Sequence, residues 1–388
     1  MTCGKFERKN VASYPLAGSG VVPDDHSAAA GGAAGGSWRG GDADARDTGR
    51  RANRSQVARQ HEAAPGAPVS AFEVLTMGRV GVDLYPLQTG ARLEDVETFG
   101  KWLGGSATNV AVAAARYGRR TAVVTRTGED PFGRFVHKAL AGYGVDDRYV
   151  TSVPDLPTPV TFCEVFPPDN FPIYFYRWPK APDLEIRAGE LDLGAIRSAG
   201  VFWVTGTGLS EEPSRTATLT ALRERGRRGI TVLDLDYRPQ FWPSRAAARQ
   251  WIQQALPHVS VAVGNLDEVG TAVGEREPLA AAQALHEFGV GLAVVKQGPK
   301  GVLAHDRAAA VEVPPVPVEV VNGLGAGDAF GGALCHGLLA GWEVERVMRF
   351  ANAAGAILAS RLACSDAMPT AAEVEALLNG QSREGAHA

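Results

Sequence analysis

The sequence predicts an α/β protein in which a doubly wound, mostly parallel sheet carries helices on both faces. Two observations lead to this fold class. Short apolar runs rich in Val recur after residue 69, and such near-continuous apolar strands are buried on both faces, as in parallel sheets. Helical patterns separate the runs, and a repeated strand, helix, strand order gives a parallel sheet with helices packed against it.

The elements follow one another in a regular order. Gly, Asp or Asn bounds each apolar run, as expected at the end of a strand. The predicted strands span residues 72–77, 121–125, 201–206, 230–236, 261–265 and 292–296. The predicted helices span residues 107–117, 131–141, 215–225, 245–256 and 279–288.

One segment interrupts this order. Residues 159–176 have the pattern of two alternating strands around a Pro-Pro-Asp-Asn turn. An inserted hairpin is either a lid that excludes water from a site or an ordinary edge hairpin. The pattern alone favours neither interpretation.

Composition divides the chain and excludes several classes of protein. Residues 1–68 are rich in Ala, Gly, Asp and Arg with few bulky apolar residues, which predicts a disordered extension or a start codon assigned too far upstream. The 39 basic and 43 acidic residues give a net charge of -4, so no broad basic surface exists for nucleic acid or an anionic membrane.

Cysteine spacing and targeting signals point to the same compartment. Cys3, Cys163, Cys335 and Cys364 are too far apart for a zinc site or a disulfide framework. No signal peptide or membrane-spanning apolar run is visible. We expect a cytoplasmic protein with reduced thiols and with neither nucleic acid nor membrane as a partner.

The strongest single motif is Asn322-Gly-Leu-Gly-Ala-Gly-Asp328, which precedes an apolar helical run. The turn through Gly325, Ala326 and Gly327 can point several N–H groups at one place, and a helix dipole there favours an anion. Asp328 beside such a phosphate cradle would be a general base for a substrate hydroxyl. The alternative is a glycine-rich turn in which Asp328 caps the helix.

A second glycine motif opens another predicted helix. Gly104 and Gly105 allow a ligand close to the backbone, and Asn109 can both donate to and accept from sugar hydroxyls. Taken alone, the segment is more typical of a capped helix start.

Both motifs resemble the signatures of one family. GGSATNVA and LGAGD, in this order, are similar to the two signatures of the ribokinase-like (phosphofructokinase-B type) sugar kinases, and the resemblance covers residues 72–370. Other segments resemble family landmarks in the same order: residues 78–83, 128–133, 265–268, 296–301 and 351–355. The resemblance implies a ribokinase-like fold over residues 69–380, with lid strands near 84–103 and 158–178 and a tail at 381–388.

The resemblance also implies roles for these residues. Asp83 would bind substrate hydroxyls together with Gly104, Gly105 and Asn109. The nucleotide side would be formed by Asn265, Glu268, Lys296, Gly298, Gly301 and Asn352. Glu268 would organise Mg²⁺ and phosphate through water, with ATP as the phosphoryl donor. Many members have Asp-Thr where this chain has Asn322 and Gly323, a neighbourhood that often helps to hold a monovalent cation, so K⁺ activation stays open.

Within the family, two segments resemble kinases of keto sugar acids. They place the cations Arg177, Lys180 and Arg238 where an open-chain substrate carboxylate could be bound, and Arg matches a carboxylate with a two-pronged fork. The alternatives are that Arg238 caps a strand end and that Lys180 is solvated. Asp234 and Asp236 follow a strand at the sheet edge where ligands bind, or simply end it.

The resemblance implies an ATP-dependent kinase acting on the terminal hydroxyl of a small sugar acid, as a homodimer or higher homo-oligomer. Two alternatives stay open: a kinase of another sugar acid or of a neutral sugar such as fructose or ribose, and a non-catalytic sugar-binding regulator on the same fold.

Overall fold

Parallel strands form the centre of the protein in the computed structural model, which describes residues 72–384. The prediction for residues 1–68 and the last four residues of the predicted tail therefore lie outside the described residues. The strands are β1 Val74–Met77, β2 Gly81–Pro86, β3 Phe99–Gly104, β4 Thr121–Gly128, β5 Val145–Asp146, β6 Val150–Val153, β7 Val160–Cys163, β8 Ile173–Tyr176, β9 Val201–Thr205, β10 Ile230–Asp234, β11 Val261–Asn265, β12 Leu292–Lys296, β13 Val302–His305 and β14 Ala310–Val313.

The helices alternate with the strands of the main sheet. They are α1 Ser106–Arg116, α2 Pro131–Gly142, α3 Leu193–Ser198, α4 Ser214–Arg225, α5 Arg245–Ala255, α6 Leu266–Val273, α7 Pro278–Glu287, α8 Ala326–Leu339, α9 Val344–Ala359 and α10 Ala371–Glu384. Helix α10 continues four residues beyond the predicted domain end at residue 380. None of the described helices is both long enough and apolar enough to cross a membrane.

The main sheet has the order β14-β13-β12-β11-β10-β9-β1-β4-β5, and β6 also pairs with β4. All pairings from β12 to β5 are parallel, whereas β13 and β14 are added in antiparallel fashion. A second, four-stranded sheet has the order β3-β2-β7-β8. Its strands come from the two segments in which lid strands were expected, and the predicted hairpin is the antiparallel pair β7–β8.

Successive residues of each central strand enter different apolar clusters. In β1, Val74 packs with residues of α1, α8 and α9, whereas Leu75 and Met77 pack with residues of α4 to α7. Side chains alternate across a strand, so the two clusters lie on opposite faces of the sheet. The predicted doubly wound α/β class with helices on both faces is confirmed.

The predicted boundaries shift where the backbone turns. The strand predicted over 230–236 ends at Asp234, because Asp236 has a φ of 32°, which a strand cannot accommodate. Cys163, Cys335 and Cys364 are buried, free thiols, so the described residues contain no disulfide among them.

Candidate active site

Charged side chains collect where the parallel strands of the main sheet end. Asp234, Asn265 and Lys296 are the last residues of β10, β11 and β12, and Arg79 follows the end of β1. A cavity lies between this carboxyl edge and the four-stranded sheet. Its lining includes Arg79, Asp83, Asn109, Phe175, Arg238 and Asp328. The cavity thus joins both glycine motifs to the lid segments.

Asp328 lies in the first turn of α8 and lines the cavity. Gly325, with a φ of 80°, is the residue before that helix, and no side chain caps it. The Asp328 carboxylate instead accepts a hydrogen bond from Asn109 Nδ2 at 2.8 Å. The capping interpretation of Asp328 is therefore wrong. Burial raises the pKa of Asp328, and the hydrogen bond from Asn109 opposes that rise.

The turn before α8 offers fewer free amides than the sequence indicates. The N–H of Asp328 donates to the carbonyl of Gly325 at 2.9 Å, so it is already used within the turn. Ala326 and Gly327 are the first residues of the helix, and first-turn amides have no acceptor inside their own helix. Their N–H groups are therefore the donors that remain for an anion.

The second glycine motif makes room for Asp83. A Cβ on Gly104 would lie 2.1 Å from Asp83 Oδ1, so only glycine at position 104 permits this carboxylate in its place. Gly105 has a φ of 100° and precedes α1 directly, which puts Asn109 inside the helix rather than before it. Tyr85 Oη donates to Asp83 Oδ2 at 2.8 Å, and burial raises the pKa of Asp83 to about 6.

Asp236 links two guanidinium groups. Its Oδ1 lies 2.9 Å from Arg238 Nη2, and its Oδ2 lies 3.5 Å from Arg79 Nε. Burial acts to raise the pKa of Asp236, but the positive charges of Arg238 and Arg79 outweigh it, so the pKa lies below its usual value. Asp236 is therefore an ionised anchor for both arginines and more than the end of a strand.

Asp234 behaves differently from its neighbour. It is buried, and burial raises its pKa to about 8, with Lys296 acting in the opposite direction. Ser106 Oγ lies 3.4 Å from Asp234 Oδ2.

The predicted nucleotide residues follow the same edge but do not line the cavity. Asn265 and Glu268 form a reciprocal capping box at the start of α6, and Glu268 Oε1 also lies 3.4 Å from Arg238 Nη1. A Cβ on Gly327 would lie 3.2 Å from Lys296 Nζ, which puts this ammonium group beside the α8 turn.

Three further residues that were predicted to form the nucleotide side follow Lys296 in the chain. Gly298 and Gly301 have positive φ angles of 58° and 93° in the turn between β12 and β13. Asn352 of α9 donates through Nδ2 to the carbonyl of Pro314 at 3.0 Å, anchoring the chain that follows β14. These residues therefore also have structural roles, the two glycines in a turn and Asn352 in a contact between α9 and the chain after β14.

Two predicted substrate cations do not reach the cavity lining. Arg177 Nη2 lies 2.7 Å from Asp183 Oδ2, and Lys180 Nζ lies 2.7 Å from Glu185 and 3.2 Å from Glu211. Because carboxylates on the same side of the lid neutralise both groups, the structure corrects their expected placement. Lys180 is not simply solvated either, since it is ion-paired.

Several cavity residues were missed by the sequence reasoning. Arg79, Tyr85, Thr161 and Phe175 all line the cavity, as does Cys364, whose Sγ lies 2.8 Å from Tyr85 Oη. Only Arg79 had a signal, because it stands in the segment 78–83 that resembles a family landmark.

Comparison with known proteins agrees with this geometry. The model of the pfkB family carbohydrate kinases matches residues 71–371. The chain belongs to this family, and it is a sugar kinase: a phosphotransferase with an alcohol group as acceptor.

Individual relatives and solved structures resemble this chain over most of its length. A 5-dehydro-2-deoxygluconokinase of Geobacillus thermodenitrificans (strain NG80-2) is 31% identical over 311 residues, which is 78% of this chain and 92% of the relative. The fructokinase of Xylella fastidiosa with bound ATP is 25% identical with a TM-score of 0.71, over 80% of this chain and 99% of that one. A provisionally named ribokinase II of Escherichia coli, in complex with ATP and Mg²⁺, shares the fold at 23% identity and a TM-score of 0.72, over 79% and 99% of the two chains.

Proposed function

We propose that this kinase transfers the γ-phosphoryl group of ATP to the terminal hydroxyl of 5-dehydro-2-deoxy-D-gluconate, giving the 6-phosphate in myo-inositol catabolism. The observation that supports this substrate is the cavity itself, in which guanidinium groups face the same space as Asp328. A neutral sugar gives these buried cations no charged partner, whereas a sugar acid does. The names of the relatives support the same substrate.

The reaction uses residues of both glycine motifs. Asp328 takes the proton of the substrate's terminal hydroxyl. The hydroxyl oxygen then bonds to the γ-phosphorus of ATP while the bond between that phosphorus and the bridging oxygen of ADP breaks. The amides of Ala326 and Gly327, which follow the left-handed turn at Gly325, hold the negative charge of the transferring group. Asp83 and Asn109 bind substrate hydroxyls, with Gly104 and Gly105 allowing close approach, and Arg238 faces the carboxylate.

The nucleotide lies along the carboxyl edge in this proposal. Lys296 supplies positive charge beside the α8 turn, and Gly298, Gly301 and Asn352 border the nucleotide. Asn322 donates through Nδ2 to the carbonyl of Leu362 and accepts the N–H of Leu324 at Oδ1, so the proposal assigns it no ligand role toward K⁺.

Glu268 is the residue proposed to face Mg²⁺. Within residues 72–384, no group of three or more His, Cys, Asp or Glu side chains could hold a metal ion directly. One oxygen of Glu268 accepts the Asn265 N–H at 2.7 Å and the other faces Arg238, which fits an outer contact through water. Mg²⁺ usually keeps several waters and is held by few carboxylates plus substrate phosphates, whose charge it neutralises.

The substrate is tested by ADP-release assays on a panel of acceptors. We expect 5-dehydro-2-deoxy-D-gluconate to give the highest kcat/KM, ahead of 2-dehydro-3-deoxy-D-gluconate, and about 10²-fold above fructose and ribose, because losing a buried carboxylate contact leaves its partner unpaired. A higher kcat/KM for a neutral sugar would contradict the proposal.

Replacing Asn109 with alanine should change the pH dependence of the reaction. Asp328 must be ionised to accept a proton, and the Asn109 hydrogen bond lowers its pKa. Removing that bond raises the pKa of Asp328 further. As the pH is lowered, the variant should therefore lose activity at a higher pH than the wild type does. The acid limb of the kcat–pH profile measures the shift, and an unmoved limb would rule out this pairing as the tuning contact.

Asn265→Ala separates a capping role from a nucleotide role. Loss of the N-cap should lower the free energy of unfolding by about 1 kcal/mol. If Asn265 also organises the nucleotide side, the KM for MgATP should rise severalfold. Ser244→Ala, which removes the matching cap of α5, is the control with a similar stability loss and unchanged KM. If both variants have the same KM for MgATP, Asn265 serves only as a helix cap.

A further inference from the structure

Arg79 has an unusual position for a buried arginine. It lies two residues after the end of β1, which pairs with β9 on one side and β4 on the other, and its side chain is 11% exposed at the cavity. The guanidinium carbon lies 5.6 Å from the centre of the Phe175 ring of the lid strand β8. Arg79 therefore lies between the main sheet and the lid.

The donors of Arg79 are unused by the protein. No hydrogen bond joins its guanidinium to any residue of the range 72–384, and its buried Nε has only the 3.5 Å ion pair with Asp236. A guanidinium carries five N–H donors, and leaving buried donors without acceptors costs free energy. A ligand with two acceptor oxygens would satisfy them.

The other candidate arginines have less of this capacity at their Nη groups. Arg238 already lies 2.9 Å from Asp236, 3.2 Å from the carbonyl of Tyr237 and 3.4 Å from Glu268. Arg177 is paired with Asp183 at 2.7 Å and does not line the cavity. Arg79 and Arg238 both line the cavity, and the Nε of each is buried without a hydrogen-bond partner. The two differ at the Nη groups, which are engaged in Arg238 by Tyr237 and Asp236, whereas those of Arg79 make no hydrogen bond to any residue of the range 72–384.

The carboxylates around Arg79 leave its Nη groups free for a ligand. Asp83 and Asp328 interact with its positive charge, yet neither hydrogen-bonds to it. Asp236 holds the guanidinium from behind at Nε, which leaves the two Nη groups as a fork. Phe175 covers the group from the lid side, and excluding water strengthens a charged contact.

We propose that Arg79 is the residue that selects for the substrate carboxylate, binding it with its two Nη groups, and that Asp236 is the positioning residue that orients this fork. The inference rests on the proposed sugar-acid kinase function and deepens it. It replaces Arg177 and Lys180, and leaves Arg238 as a supporting charge. With the terminal hydroxyl at Asp328, the carboxylate end of the same molecule lies at Arg79, since both residues line one cavity.

The test compares 5-dehydro-2-deoxy-D-gluconate with its neutral C1 amide as acceptors for the wild type and Arg79→Gln. The variant should lose about 10²-fold in kcat/KM for the acid, because a charge-assisted bidentate contact is removed. For the amide, kcat/KM should change less than threefold. Arg79→Lys, which keeps the charge but not the fork, should recover part of the preference. Arg126→Gln is the matched control: Arg126 is 15% exposed, is paired with Glu190 and is absent from the cavity lining.

The outcomes distinguish a failure of the proposed sugar-acid kinase function from a failure of the role of Arg79. A wild type that does not use the acid contradicts the proposed function itself. A wild type that prefers the acid, with Arg79→Gln keeping that preference, overturns the role of Arg79 alone. Equal losses on acid and amide, with a raised KM for ATP, would assign Arg79 to phosphate instead and also overturn it. Thermal unfolding of each variant with ADP shows that the fold is retained.

Discussion

Asp328→Asn should lower kcat by about 10²-fold or more, since general-base catalysis contributes 10²–10⁴-fold. Asparagine keeps the size of the side chain but cannot accept the substrate proton. Asp328 is held by Asn109 at 2.8 Å and faces the cavity, so the loss should fall on kcat while the KM for the sugar acid changes little. Steady-state ADP release with saturating MgATP measures both constants.

The control for this variant is binding. If Asp328→Asn binds the sugar acid with a near-normal Kd by calorimetry and still turns over at the wild-type rate, Asp328 is not the base. An amide at this position could also rotate against Asn109, so Asp328→Glu provides a second variant. It keeps the carboxylate but moves it by one methylene, and it should retain more activity than the asparagine variant.

Gly325→Ala should be the second most damaging substitution. A Cβ there would lie 2.6 Å from Cys364 Sγ and 3.1 Å from Leu358 Cδ2, and the φ of 80° disfavours any L-residue. The turn must then shift, which displaces the amides of Ala326 and Gly327. Because losing one such donor costs 10²–10³-fold in kcat, we expect a loss of about 10²-fold.

Gly341 provides the matched control for backbone strain. It has a φ of 67°, but a Cβ there would meet nothing within 4 Å. Gly341→Ala should therefore lower the free energy of unfolding by about 1–2 kcal/mol and leave kcat unchanged. Similar kcat values for Gly325→Ala and the wild type would show that the α8 turn does not hold the transferring group.

The central strands of the fold were predicted well because a strand that is buried on both faces consists of a nearly continuous run of apolar residues. The two strands at residues 261–265 and 292–296 have the predicted bounds. Strands β13 and β14 were not predicted, because edge strands such as Ala310–Val313 are short and partly exposed, and their apolar pattern is weak.

The sequence predicted part of the candidate site: Asp83, Asn109, Arg238 and Asp328, named from the motifs and the family resemblance, all line the cavity. Gly105 and Gly325 both have positive φ, a requirement that a glycine in the sequence reveals directly. Contacts between distant segments were not accessible, since Asn109 and Asp328 are 219 residues apart. The ion pair of Arg177 with Asp183 spans only six residues, but it depends on the path of the chain after β8, which the residue pattern does not specify. The sequence also could not show that Arg79 has no hydrogen-bond partner among the described residues.

A competition assay tests the central claim most directly, since the ratio of products from a mixture reports the ratio of kcat/KM values. Equimolar 5-dehydro-2-deoxy-D-gluconate and fructose would be offered to the wild-type enzyme with limiting MgATP, and the products identified by phosphorus NMR and mass spectrometry. We predict that the sugar acid phosphorylated at its terminal hydroxyl accounts for nearly all of the product. A product dominated by fructose phosphate, or a phosphate on any other hydroxyl of the acid, would contradict the proposed site.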